Sequence, residues 1–428
     1  MPDESTRLFR DQGFRNLFAA TMASAAGASV ARIAIPLTAV VALGADEFEV
    51  GLVSVFLTLP FLLVGLPAGA WVDRMRRRQV LIFCQGVRSL ILMSIPVLWW
   101  IDFLTIWWLS AAVLLFGICN VFYDVAYQSY LPGLVGRENL VQAHTRTTSV
   151  QQIFTLGGPA LGGQLAALLT APVSLVVTSV GLSLSSLFIL RIRQVEERRE
   201  SSGKRDLLGE IREGVLLVRT DRRLRALAES SAWLNLTSYA AYSITVVFLA
   251  RDIGLSVLSV GIFFSISGIG GVAAAFSFKF LAGKVGHGPL LWLPLFVGAP
   301  FGLLLPMADP GWTVWLAAAA SSVVAFTTVI FNIGFMSSCQ AVVPDRALGR
   351  VNATLRFLTW GVMPLGSLLG GTLADVLGTR QALCAAAAAG LLSFLPTFLS
   401  PWRKERSLPE EPTSLGDLLG AGPEPVKE

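Results

Sequence analysis

The sequence predicts an all-α membrane protein of twelve transmembrane helices in two pseudo-symmetric six-helix bundles, and three observations carry the prediction. The 428 residues are 54% hydrophobic and 14% charged, against about 25% charged in soluble domains. The apolar residues fall into twelve runs, each near or above the roughly 20 residues needed to cross a bilayer. The chain also matches itself at a shift of 208 residues. A soluble enzyme is excluded. The net charge of +5 does not point to nucleic acid, because Lys and Arg lie between apolar runs and not on a polar surface beside a groove.

The first six spans run at 16–43, 48–72, 80–100, 103–131, 142–169 and 172–190, and the second six at 226–250, 256–280, 289–307, 312–340, 350–376 and 381–400. The polar amino terminus has no short apolar segment with a small-residue cleavage site, so the first run is expected to stay as a membrane helix. With that terminus cytoplasmic, the inward loops, tails and flanking helix ends hold 29 of the 33 basic residues; Arg32 and Arg88 lie within spans, and Arg251 and Arg380 fall on the other side. This bias is the positive-inside pattern. It places both termini in the cytoplasm and the chain in the inner, or plasma, membrane.

The organisation read from this is a six-helix bundle over 1–190, a cytoplasmic linker over 191–225, a second bundle over 226–402 and a disordered cytoplasmic tail over 403–428. The linker carries eleven basic and seven acidic residues. In its second half, Leu208, Ile211, Val215 and Val218 recur at helical spacing between arginines, which suits either a helix on the inner leaflet or a solvated coil. The tail is rich in Pro, Glu and Ser, a composition that buries little.

The repeat is clearest where Gly158-Pro159-Ala-Leu-Gly162-Gly163 falls over Gly366-Ser-Leu-Leu-Gly370-Gly371. The fifth and eleventh spans are therefore copies. Six spans per copy put both copies in one orientation, a plan found in secondary transporters.

The turn after the second span reads Gly65-Leu-Pro67-Ala-Gly69-Ala-Trp-Val-Asp73-Arg74-Met-Arg76-Arg77-Arg78. Here the chain resembles the major facilitator superfamily, with Arg76 where that family usually has glycine. Phe122-Tyr123-Asp124-Val-Ala126-Tyr127-Gln128-Ser129-Tyr130-Leu131-Pro132 is similar to the branch containing macrolide and enterobactin-type siderophore exporters. Gly158, Pro159, Gly162 and Gly163 match the core of an element typical of its proton-coupled exporters, with Phe154 where a further glycine is expected. The resemblance implies the major facilitator fold, a gate made by Gly69, Asp73, Arg74, Arg77 and Arg78, and a contact of Asp73 with the start of the eleventh span at Gly349 and Arg350. The matching turn after the eighth span has no acid, which implies an asymmetric gate.

Charges within the spans are the functional signal that needs no resemblance. An ionised side chain at mid-membrane costs roughly 3 kcal/mol on insertion scales and normally faces a cavity or a partner. Arg32, Arg88 and Asp124 are the clear cases. At about 1.5 Å per residue, Arg88 and Asp124 lie roughly 14 and 11 Å from the inner ends of their spans, and Arg32 roughly 24 Å. Asp124 is thus either a proton carrier or the structural partner of Arg88, with Arg32 a lone cavity charge. Asn120, Tyr123, Tyr127, Trp233, Tyr239, Tyr242, Asn332, Met336 and Gln340 suit a greasy pocket with a few polar anchors.

Cys84, Cys119, Cys339 and Cys384 lie in apolar runs without close spacing, and His144 and His287 are the only histidines, so no metal site is expected. No phosphate loop, cofactor motif or activated nucleophile occurs. The expectation is a secondary transporter, not an enzyme, working as a monomer in the lipid bilayer. It exports a hydrophobic or amphipathic small molecule, such as an antibiotic, a macrolide-like compound or a siderophore, against inward proton flow. A nutrient importer of the same fold and a transport-inactive membrane sensor or scaffold are the alternatives.

Overall fold

The computed structural model of the chain describes residues 11–72, 74–193, 207–405 and 407. These are almost wholly helical, with no strand among the described residues. In hydrocarbon a chain must satisfy its backbone polar groups within the segment, and the helix does so.

The helices are α1 (Gln12–Leu37), α2 (Glu47–Val72), α3 (Arg77–Trp100), α4 (Ile106–Gly136), α5 (137–169), α6 (Ala171–Leu190), α7 (Leu207–Thr220), α8 (Arg222–Val247), α9 (Val257–Val285), α10 (Leu293–Gly302), α11 (Thr313–Val342), α12 (Asp345–Trp360), α13 (Met363–Leu377), α14 (Thr379–Gly390) and α15 (Leu395–Phe398). Among the described residues ten stretches are long and apolar enough to cross a membrane, one of them Ala347–Leu377, which joins α12 to α13. The more polar α5 and a shorter apolar stretch, Pro289–Gly302, make up the twelve. The fourth and fifth spans are one run of helix bent at Gly136, whose φ of 74° lies in the left-handed region.

Local chemistry sets the starts. Asp11 accepts from the Gly13 amide at 2.7 Å to begin α1. Asp46 and Glu49 form a reciprocal capping box at α2, and Thr105 accepts from the Trp108 amide at α4. Each satisfies an amide that the first turn leaves open. Asp221 takes the Arg223 and Leu224 amides and so separates α7 from α8.

Packing divides the chain into two compact units, one of residues 1–202 with Val246–Ser265, the other of Gly203–Thr245 with everything from Ile266. In the first, α6 lies against α1 and α3, while α4 and α5 cover α1, α2 and α3. In the second, α10 packs on α11 and α14, and α13 on α14.

The repeat extends to backbone conformation. Thr170, between α5 and α6, has φ 83° and ψ 154°, and Gly378, 208 residues on, has φ 91° and ψ 154°. One copy holds a threonine in a conformation that glycine adopts freely.

The linker is helical over Leu207–Thr220, but α7 packs on α12 instead of lying on a leaflet. Gly214 sits against the Arg350 carbonyl and the Thr354 hydroxyl, and Leu217 and Val218 are fully buried beside Val351 and Leu355. The described end of the apolar stripe, at Val218, is covered by protein. Leu208 and Ile211 lie where side chains are outside the described residues. The chain also stays packed past 403. Trp402 is fully buried, the Gly288 amide donates to the Glu405 carbonyl, and Arg223 pairs with Glu405. The tail beyond Glu405, Ser407 apart, lies outside the described residues.

Candidate functional site

Two of the intramembrane charges, Arg88 and Asp124, lie together where α3, α4 and α6 meet. Arg88, on α3, is 3% exposed, which demands compensation. Its Nη1 donates to Gln85 Oε1 at 2.9 Å. Its guanidinium lies 4.6 Å from the Phe116 ring centroid and 5.5 Å from that of Tyr123, within cation–π range, and it feels the charge of Asp124. Gln85, fully buried, donates through Nε2 to Ser24 of α1 at 3.0 Å and to Ser185 of α6 at 2.9 Å. A single amide thus ties three helices and orients the cation.

Asp124 is exposed on α4, one turn from Asn120, whose Nδ2 donates to Asp124 Oδ2 at 3.1 Å. One edge of this group is therefore a buried cation and the other an accessible carboxylate. Tyr123 stacks on Tyr127 at 6.0 Å between centroids and is only 8% exposed. Its place is under Arg88, in the body of the unit. Tyr127 meets the Thr21 hydroxyl at 3.3 Å, linking α1 and α4.

Arg32 is exposed on α1 and makes no hydrogen bond or ion pair with the described residues. The structure does not bring it to the Arg88 group. On α1, Gly27 packs on Thr178 of α6, and Ser29 and Val30 meet α5; at 100° per residue Arg32 lies about 140° from Gly27 and so points away from α6.

The glycines of α5 make two close contacts. Gly158 lies against Ser29, and a methyl at Gly162 would come 3.2 Å from Val30 Cα. Gly163 faces Gly261 of α9, where a Cβ on either would lie 2.7 Å from the other's Cα, and Gly261 also touches the Pro159 carbonyl. In the second unit Gly366 and Gly370 of α13 pack likewise on the Leu236 and Ala240 carbonyls of α8.

Asp73 lies outside the described residues. Of its neighbours, Arg77 Nη1 donates to the Ser129 carbonyl at 3.1 Å and Arg78 Nη2 to the Leu190 carbonyl at 2.8 Å. Arg78 thus sits at the carboxyl end of α6, where the helix dipole favours a cation, and Arg77 reaches a carbonyl within α4. Arg74 is exposed, and Gly69 and Gly349 have open space where a Cβ would project. The Arg350 carbonyl abuts α7.

In the second unit Asn332, Met336 and Gln340 form one exposed stripe along α11. The 208-residue shift puts Asp124 on Asn332 and Gln128 on Met336. The accessible carboxylate of one copy is thus an amide in the other, and its glutamine a methionine. Trp233 donates to the Ala389 carbonyl at 2.7 Å, and Tyr239 and Tyr242 are tilted neighbours at 6.2 Å.

The four cysteines are free. Among the described residues no group of three or more His, Cys, Asp or Glu is placed to hold a metal ion.

Sequence reading missed Gln85, Phe116, Gly261 and Arg251. Gln85 carried a signal, an amide one turn before an intramembrane arginine. The others carried none beyond residue type, because their partners lie far along the chain.

Comparison with known proteins gives a consistent picture. A family model described as "Transmembrane secretion effector" matches residues 5–414. The multidrug efflux pump Tap of Mycolicibacterium fortuitum is 24% identical over 413 residues, 92% of this chain and 97% of the relative. The pump of that name from Mycobacterium tuberculosis is 25% identical over 393 residues, covering 88% and 90%. Among solved structures, a variant of the nucleoside transporter NupG superposes with a TM-score of 0.76 at 13% identity, over 90% of this chain and 99% of that one. A bacterial homologue of the iron transporter ferroportin gives 0.72 at 15%, over 94% and 100%. At such identities the structural likenesses show the fold alone.

Proposed function

The chain belongs to the transmembrane secretion effector family of the major facilitator superfamily, and from that premise we propose that it exports hydrophobic or amphipathic small molecules in exchange for protons. It is a multi-pass membrane transporter and not an enzyme. The observation that carries the reading is the accessible carboxylate of Asp124 set beside the buried cation of Arg88. The names of the curated relatives support efflux and a broad range of cargo.

In this mechanism Asp124 alternates between a proton and a cationic or polar group of the cargo. Arg88 stays in place, fixed by Gln85, Phe116 and Tyr123, and favours the ionised carboxylate. Protonation removes that attraction and lets cargo leave. Asn120 orients the carboxylate. On the second bundle Met336, Trp233, Tyr239 and Tyr242 offer adaptable apolar surface for cargo, and Asn332 and Gln340 offer polar anchors. Arg32 repels cations and favours cargo with an acceptor at its far end.

The protein works as a monomer in the plasma membrane with both termini in the cytoplasm, its six-helix halves spanning 1–190 and 226–402. Gly69, Asp73, Arg74, Arg77 and Arg78 serve as gating residues of the first half, and Gly349 and Arg350 of the second. Gly158, Pro159, Gly162 and Gly163 are the sliding contact of α5.

The test is drug susceptibility of a pump-deficient host making the wild type, Asp124→Asn or Arg88→Met. Protection against amphipathic cations that Asp124→Asn abolishes supports the reading; equal protection by both proteins contradicts the role of Asp124, and no protection by the wild type contradicts efflux.

A further inference from the structure

We propose that Arg251 is the outer-gate residue of the transport cycle, clamping the carboxyl end of α1 and letting go when that side opens. The proposal rests on the transport reading above. Arg251 Nη2 donates to the Ala45 carbonyl at 2.6 Å and the Val40 carbonyl at 3.3 Å, and Nη1 reaches Glu47 Oε1 at 3.5 Å. The planar guanidinium fork spans these three acceptors, and an ammonium would not. The carboxyl end of a helix also carries the negative end of its dipole.

Two independent observations make this a gate and not only a brace. The first is the asymmetry of a repeated turn. α1 ends in a π turn, Thr38–Ala42, closed by Leu43 N to Thr38 O at 3.0 Å and Ala45 N to Ala39 O at 2.9 Å, with Gly44 at φ 64°. α8 ends in the same turn, Phe248–Asp252, closed by Ile253 N to Phe248 O at 3.0 Å and Leu255 N to Leu249 O at 2.9 Å, with Gly254 at φ 74°. The position equivalent to Arg251 in the first turn is Val41, which is 55% exposed. The turn therefore forms without a cation, and the guanidinium of one copy serves something other than turn formation.

The second is where the arginine sits. Val246–Ser265 packs in the first unit, whereas the chain on either side of it, Gly203–Thr245 and the stretch from Ile266, packs in the second. Arg251 is on the one segment whose packing departs from its neighbours in sequence, and its bonds tie the tip of that segment to the end of α1 beside the apolar packing of Val246 and Val247. Its side chain is 33% exposed and that of Glu47 29%, so water reaches the contact and replaces its bonds on release.

The test reads opening without cargo or ion gradient. In full-length protein with the four native cysteines replaced, Ile253, 6% exposed at this tip, is changed to cysteine and labelled with a membrane-impermeant maleimide in nanodiscs. Arg251→Ala is expected to raise the labelling rate about tenfold, Arg251→Lys by less, and Glu47→Gln by under about threefold, a population shift toward the open form. Rates within twofold of the parent for Arg251→Ala overturn the gate; a Glu47→Gln effect equal to that of Arg251→Ala overturns the carbonyl clamp. Arg251→Gln, which keeps bulk, replaces Arg251→Ala if the latter elutes as aggregate, with the same criteria. Because no transport is measured, a failed export reading and a failed gate give separate results.

Discussion

Gln85→Leu removes the junction that holds Arg88 and tests the buried half of the site. Leucine preserves bulk at a fully buried position, so the loss is polar. Three bonds disappear, to Ser24, Ser185 and Arg88. Interhelical bonds in membrane proteins average about 0.6 kcal/mol, giving about 1 kcal/mol for the two to Ser24 and Ser185. The two serines can turn to carbonyls of their own helices, but Arg88 Nη1 becomes a buried charged donor without its acceptor, a further 1–3 kcal/mol or so. The expected destabilisation is about 2–4 kcal/mol in a reversible detergent unfolding titration. A double-mutant cycle isolates the central part. In an Arg88→Met background the same change costs only the two serine bonds, about 1 kcal/mol, so the coupling between Gln85 and Arg88 is about 1–3 kcal/mol. A coupling within about 0.5 kcal/mol of zero would refute the idea that Gln85 orients Arg88.

Gly261→Val is expected to abolish export while leaving the fold, because its side chain meets Gly163 Cα and the Pro159 carbonyl, both backbone; normal drug protection by a well-expressed variant would show that the α5 contact is not needed for the cycle. Thr170→Gly relieves an unfavourable backbone conformation at φ 83° and is expected to stabilise by about 1 kcal/mol after the entropy glycine adds to the unfolded chain, seen as a raised detergent melting midpoint; a lowered midpoint contradicts the strain. Together with the labelling of Arg251 variants, these perturbations probe regions that do not share side chains.

The fold was legible because its signals are long and redundant. Twelve apolar runs, a lopsided Arg and Lys distribution and a repeat at 208 residues agree without any knowledge of contacts. The charges of the site were legible for the same reason, since an arginine in an apolar run such as Arg88 has no bland surroundings to hide in. Partners were not. Gln85 reaches Ser185 across 100 residues, and Gly163 meets Gly261; nothing local distinguishes these from other polar or small residues of membrane helices. The apolar stripe of α7 was visible, but lipid and the face of α12 offer the same hydrophobic gain, so the sequence could not choose between them. Tyr123, expected in a pocket, is instead buried under the Arg88 guanidinium. The strained Thr170 is invisible alone and becomes evident only beside Gly378.

The central claim is that Asp124 couples proton entry to export. Purified protein in proteoliposomes, with an imposed pH gradient and a fluorescent amphipathic cation, measures this directly. The account predicts cargo movement against its gradient by the wild type, collapse with a proton ionophore, and loss of the proton-driven component in Asp124→Asn. Gradient-driven movement that survives Asp124→Asn, or movement indifferent to the ionophore, would contradict it.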